Sequence, residues 1–307
     1  MPVIRVNAGH APPQRLWRVA AELPAGAPVV VMVHGYRYSP SHPRHDPHRH
    51  ILSLNPEPGA ARVASWPRGL GFAPEAQAPG LAVALGWEAR GALRRAYARA
   101  GETGAELARL AGDLAQAAGR PVALIGHSLG GRVCLSALAG AEAGSLSRLV
   151  LLNAAAFRDE AAEALARPAA ARAEILNITS RENDLVDFAL EQILALGRRR
   201  ALGLGLERAA RNWLDIQIDD AAVLDALEGL GFPTERRAAR LSHWSSYLRS
   251  GLFDLYRRAL CQPRELPLAL LRNHLPQDHQ PRWTRLWSAP DRLRPSEPTA
   301  AAALPLR

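Results

Sequence analysis

Six consecutive residues, Gly126-His127-Ser128-Leu129-Gly130-Gly131, have the types and spacing to make a serine hydroxyl a nucleophile. The run before them, Pro121-Val122-Ala123-Leu124-Ile125, is short, apolar and opened by a proline, which reads as a buried parallel strand. After them Leu129, Val133, Ala137, Leu138 and Ala141 recur at three- and four-residue spacing, the stripe of an amphipathic helix. A sharp turn between strand and helix puts Ser128 at its apex, and Gly126 and Gly130 stand where backbones pass too close for a Cβ. This is the G-x-S-x-G nucleophile elbow in strand–turn–helix context. A serine hydroxyl is a poor nucleophile until a base takes its proton, and the base needs a partner to hold its tautomer.

At these residues the sequence resembles the α/β-hydrolase superfamily, specifically its serine esterases and lipases, which commonly carry Gly-His-Ser-Leu-Gly-Gly. The resemblance covers about residues 28–260. It implies a mostly parallel central sheet with helices on both faces, no cofactor, and a small-molecule ester substrate. It also implies a triad in the chain order serine, acid, histidine. Of the three histidines after Ser128, His243 opens an amphipathic stretch after the last strand, where the family places its base. His274 and His279 fall in a proline-rich tail. The acid then maps to Asp184, just past a strand at 173–179; Glu182, Asp187 and Asp159 are the alternatives. The oxyanion donors map to the backbone N–H of Leu129, after the nucleophile, and of Tyr36, past the pair His34-Gly35. His34 itself reads as a buried histidine bracing that loop. With this set, activity rises as His243 loses its proton, about pH 6–7 if its pKa is unperturbed. Amide, thioester or acyl-transfer chemistry on the same triad, or a hydrolase fold used only for binding, are the competing readings.

The elements that must hold these residues follow from patterning. Continuous apolar runs at 29–33, 81–87, 147–153, 173–179 and 213–218 read as strands buried on both faces, alternating with helices at 103–118, 159–171 and 185–196. Thr103-Gly104-Ala105-Glu106 reads as a capping box opening the first of these helices. Residues 3–6 and 15–20 read as an antiparallel edge hairpin, and 244–260 as the last helix. The segment 185–212 is either a lid or a core helix with a connecting turn, with the core helix preferred.

Residues 37–80 are rich in proline and histidine. His42, His45, Asp46, His48 and His50 lie within nine positions, but Pro40, Pro43 and Pro47 break any regular element that would space metal ligands. The expectation is a substrate-side loop with no metal, its wall continued by the apolar run 65–72. A hydrolase domain over 1–261 is followed by a Pro/Arg-rich extension over 262–307, its last fifteen or so residues disordered.

The formal charge is +9, yet all 38 basic residues are arginine, and Ala, Gly, Pro and Arg are heavily used together. That composition is what a GC-rich coding sequence produces, and the arginines are scattered, so no nucleic-acid partner is expected. No apolar run approaches the roughly 18 residues of a membrane helix. Two distant cysteines and an N-terminus without signal-peptide layout point to the cytoplasm. Oligomeric state is not legible.

Overall fold

Strands made only of apolar residues must be covered on both faces, and this chain covers them with two layers of helices. The computed structural model describes residues 2–59, 62–75, 79–236 and 241–277. Seven strands form one sheet: β1 (Val3–Asn7), β2 (Val29–Val33), β3 (Leu81–Gly86), β4 (Val122–His127), β5 (Leu146–Leu152), β6 (Glu174–Thr179) and β7 (Trp213–Gln217). Every pairing is parallel, in the order β1-β3-β2-β4-β5-β6-β7. The chain therefore belongs to the α/β class.

The pleat sorts the core into two halves. Val29, Val31 and Val33 of β2 face one layer, built from α1 (Gln14–Ala21), α3 (Leu93–Ala118), α4 (Leu129–Gly140) and α5 (Arg158–Leu165). Val30 and Met32 face the other, where α2 (Trp66–Gly69), α7 (Ala221–Gly229), α9 (Leu252–Cys261) and α10 (Leu268–His274) lie. Between β6 and β7 runs α6 (Asp184–Ala195), which enters the first layer through Leu190. A buried side chain such as Leu124 or Leu138 contributes about 1.5–3 kcal/mol each. α8 (Ser245–Leu248) is one short turn before α9.

Several sequence expectations change here. The segment read as the strand 15–20 is α1: Pro13 precedes its first turn, and Leu16 and Ala20, four apart, are the buried pair. The edge strand β1 is parallel to β3 rather than part of a hairpin. α3 begins at Leu93, ten residues before the supposed capping box. Thr103 and Gly104 are interior positions where α4 packs, Gly104 directly against Ser136. The stretch 244–260 is two helices broken at Gly251, whose φ is +91°. α7 carries no expectation from sequence. Trp66, Leu70 and Phe72 are buried in the second core half instead of lining a substrate loop. Leu266, Leu268, Leu271 and Leu275 also pack into that half, so the chain from 262 to 275 adds to the core. Arg148 ties it down, buried on β5, with bonds to the carbonyls of Ala259 and Leu266. The tail expected to be disordered, and His279, lie outside the described residues. Among the described residues no helix is long and apolar enough to cross a membrane.

Candidate active site

The strand order fixes where a site can form. From β2 the chain crosses toward β3 on one side, whereas from β4 it moves to β5 on the other. Loops that diverge in this way leave a crevice at the carboxyl ends of the two strands. Val33 is paired with Gly126, so β2 and β4 end level and their following loops meet. A cavity of about 780 Å³ opens there, lined by Gly35, Tyr36, Ser128, Leu129, Leu190 and His243 among others.

Ser128 sits at φ 55°, ψ −123°, between β4 and α4. An L-residue held there costs on the order of 1–3 kcal/mol, so the surroundings must over-determine it. They do: Ser128 N–H donates to Leu152 O at 3.0 Å, and Ser128 O accepts from Gly131 N–H and Ala155 N–H, each at 2.9 Å. The tight turn presses on its neighbours. A Cβ on Gly130 would meet Val33 O and His34 O, and one on Gly35 would lie 2.8 Å from His127 O and 2.9 Å from Ser128 Cβ. The loop after β2 is thus in contact with the elbow, with no space for a larger residue.

His34 holds that loop in shape. Its Nε2 accepts from Trp87 N–H at 3.0 Å, so Nδ1 carries the hydrogen and donates to Gly35 O at 2.9 Å. The Trp87 indole N–H donates back to His34 O, and the two rings stack. Burial pushes the His34 pKa down to about 3, so the ring is neutral. Tyr36 is fixed by its hydroxyl, which donates to Gly91 O. Tyr36 and Leu129 both line the cavity, and among the described residues neither N–H has a backbone partner, Leu129 being the first residue of α4. Donors placed like this suit an oxygen that gains charge.

His243 reaches the same cavity from the far side. Its backbone carbonyl accepts from His127 Nε2–H at 2.8 Å and from Asn153 Nδ2–H at 3.3 Å. Asn153 follows β5 at φ 43°, another strained position turned toward the site. Next to His243, Ser242 N–H donates to Glu182 O, and the buried pair Arg249–Glu182, at 2.8 Å, joins the same two loops. His127 is itself neutral, its pKa pushed down to about 4 by burial.

The Nδ1 of His243 meets Asn183 Oδ1 at 2.6 Å, and Asn183 Nδ2–H donates to Asp187 Oδ1 at 3.0 Å. A carboxylate only accepts, so Asp187 takes the NH₂ of Asn183 and leaves its oxygen toward His243. His243 Nδ1 must then carry the hydrogen, and Nε2 is left with a lone pair for use as a base. Burial, and then the nearby His127, hold the His243 pKa well below the ordinary imidazole value. This differs from the sequence expectation of a limb near pH 6–7.

The candidate carboxylates fall in different places. Asp184, the expected acid, follows Asn183 directly and is buried as the first residue of α6. The turn Arg181–Asn183 enters the helix one residue earlier than the motif suggests, so position 183 faces the histidine. Asp187 stands one amide behind it, with Gly203 leaving space for its carboxylate. Glu182 is bonded to Arg249, and Asp159 is a surface partner of Arg199. Asn183 and Asn153 carry no sequence motif, and the motif holding His127 gives it no link to His243; only the fold brings the three to His243. His274 is exposed on α10.

In the histidine-rich segment, His48 is buried and bonded to Asn7 at 2.7 Å, while His45 and His50 line the cavity. Among the described residues no group of three or more His, Cys, Asp or Glu side chains could hold a metal ion. α6 packs as the core helix preferred for it, with Leu190 buried in the core and Val186 and Ala189 lining the cavity. No protein-family model matches the chain, and no curated protein does either.

Proposed function

We propose that the protein is a serine hydrolase of the α/β-hydrolase superfamily that cleaves carboxylic esters through an acyl-enzyme on Ser128. The observation that carries this reading is the strained Ser128, held at the crevice between β2 and β4 in one cavity with a neutral His243 whose Nδ1 is occupied. Strain of this kind persists where a side chain must be presented to a ligand.

In the proposed reaction Ser128 Oγ attacks the ester carbonyl and its proton passes to His243 Nε2. The developing oxyanion takes hydrogen bonds from the N–H groups of Tyr36 and Leu129. The imidazolium then protonates the leaving alcohol, water attacks the acyl-enzyme with His243 again as base, and the acid departs. Ser128 Oγ and His243 share no direct hydrogen bond in this structure, and catalytic hydrogen bonds of this kind commonly tighten in the substrate complex. Asn183 keeps the tautomer, and Asp187 keeps Asn183. The amide in third place supplies orientation but no full negative charge, in accord with the depressed His243 pKa. The proposal places the enzyme without a cofactor and in the cytoplasm.

The test is a panel of the uncharged 4-nitrophenyl butyrate, S-(4-nitrophenyl) thiobutyrate and 4-nitrobutyranilide. Turnover of the oxygen ester above the other two, lost in Ser128→Ala, is the expected result. Turnover of the anilide or thioester instead would replace the esterase reading with an amidase or thioesterase on the same residues.

A further inference from the structure

The wall of the Ser128 cavity carries charge of one sign. Arg37, Arg44 and Arg62 line it, and among the described residues it contains no carboxylate. Some arginines elsewhere on this surface pair with acids, Arg49 with Glu57, Arg199 with Asp159, Arg236 with Asp225 and Glu228, while others such as Arg18 carry no ion pair among the described residues. The three cavity arginines form no ion pair with any described residue.

Two of them are placed by the site itself. The Arg62 guanidinium lies 3.9 Å over the Trp244 ring, beside the base, and Arg62 O accepts from Tyr247 OH across the cavity. Stacking holds the plane and leaves its N–H groups for another acceptor. Arg37 directly follows the oxyanion residue Tyr36 and is held at φ 75°, its N–H donating to Ala89 O. That conformation is rare outside glycine, so this residue is kept at a backbone cost beside the reacting centre. The same positive field is felt at His45, whose pKa is lowered by burial and then by Arg90, His42, His50 and Arg37. Between the arginines the wall is apolar, with Val63, Leu93, Val186 and Leu190.

We infer that the ester cleaved here is an anion: an apolar acyl or alcohol part bearing a carboxylate or phosphate that the cavity arginines receive while Ser128 attacks. The inference rests on the proposed hydrolase reading. Guanidinium groups without partners in a wall free of carboxylates favour a negative ligand and repel a cationic one.

The test uses matched ester pairs on the full chain, each rate divided by that ester's own hydroxide rate. Mono-4-nitrophenyl adipate against 4-nitrophenyl hexanoate places the anion on the acyl side. 4-Carboxyphenyl butyrate against 4-carbamoylphenyl butyrate places it on the alcohol side. In one pair kcat/KM favours the anion by roughly tenfold or more at low salt, a charge-assisted contact, and the ratio shrinks as salt screens it. Arg62→Gln and Arg37→Gln each collapse that ratio several-fold, and Arg18→Gln, exposed on α1, leaves it in place as a control for net charge. Neutral esters turned over with both ratios near one, or ratios that neither cavity variant moves, overturn the inference alone. If no ester of any kind is turned over, the hydrolase reading and the inference fall together.

Discussion

Exchanging the residues at 183 and 187 separates the proposed role of Asn183 from a merely structural one. In the double variant Asn183→Asp/Asp187→Asn the carboxylate moves to the position 2.6 Å from His243 Nδ1, and the amide stands behind it. Both hydrogen bonds are kept, since the amide now at position 187 can donate to the carboxylate at position 183, which in turn accepts from His243. Within this pair of bonds only the charge has moved. An opposite charge within bonding distance raises a histidine pKa by about 1–3 units. The native value lies well below the ordinary one through burial and His127. The acid limb of kcat/KM for 4-nitrophenyl butyrate therefore shifts upward by about 1–3 pH units in the double variant. Between the two limbs the exchanged protein loses activity that the native protein keeps. Asn183→Asp alone sets two carboxylates 3.0 Å apart, which cannot both ionise, and is expected to lower stability. An acid limb that stays in place in the double variant would refute the assignment of Asn183 as the partner of His243.

Two further outcomes follow from the same geometry. Gly35→Ala places a Cβ 2.8 Å from His127 O and displaces the Tyr36 N–H, so kcat falls about 10²–10³-fold while the fold persists; unchanged kcat would remove Tyr36 from the oxyanion role. His34 and His127 have folded pKa values of about 3 and about 4, below the unfolded value of 6.5. Below pH 6.5 the unfolded chain gains protons that the folded chain refuses, so stability is full at pH 7 and declines on acidification. By pH 5 each of the two has lost about 2 kcal/mol, read by urea unfolding at both pH values; a constant unfolding free energy between them would contradict their neutral burial.

What the sequence makes legible here is set by the range of the interaction. β2, β4 and β5 declare themselves because strands covered on both faces hold mostly apolar residues over five to seven positions. The elbow is legible because Gly126, Ser128 and Gly130 meet sterically within one turn. α1 is misread because Arg15-Leu16-Trp17-Arg18-Val19 alternates over a stretch too short to tell period two from period 3.6, and the burial of Leu16 and Ala20 decides it. The start of α3 is hidden because Ala92 offers no side-chain cap to mark it. The partner of His243 is illegible for a different reason. Whether residue 183 or 184 faces the ring depends on one residue of phase where the turn enters α6, and that phase is set by contacts sixty residues apart.

The central claim is that Ser128 is a nucleophile activated by His243. Incubating the purified protein with a fluorophosphonate, which phosphonylates an activated serine, and mapping the adduct by mass spectrometry tests it most directly. The account predicts a single adduct on Ser128, absent in Ser128→Ala and strongly slowed in His243→Ala. A folded native protein that stays unlabelled at Ser128, or labels equally well without His243, would contradict it.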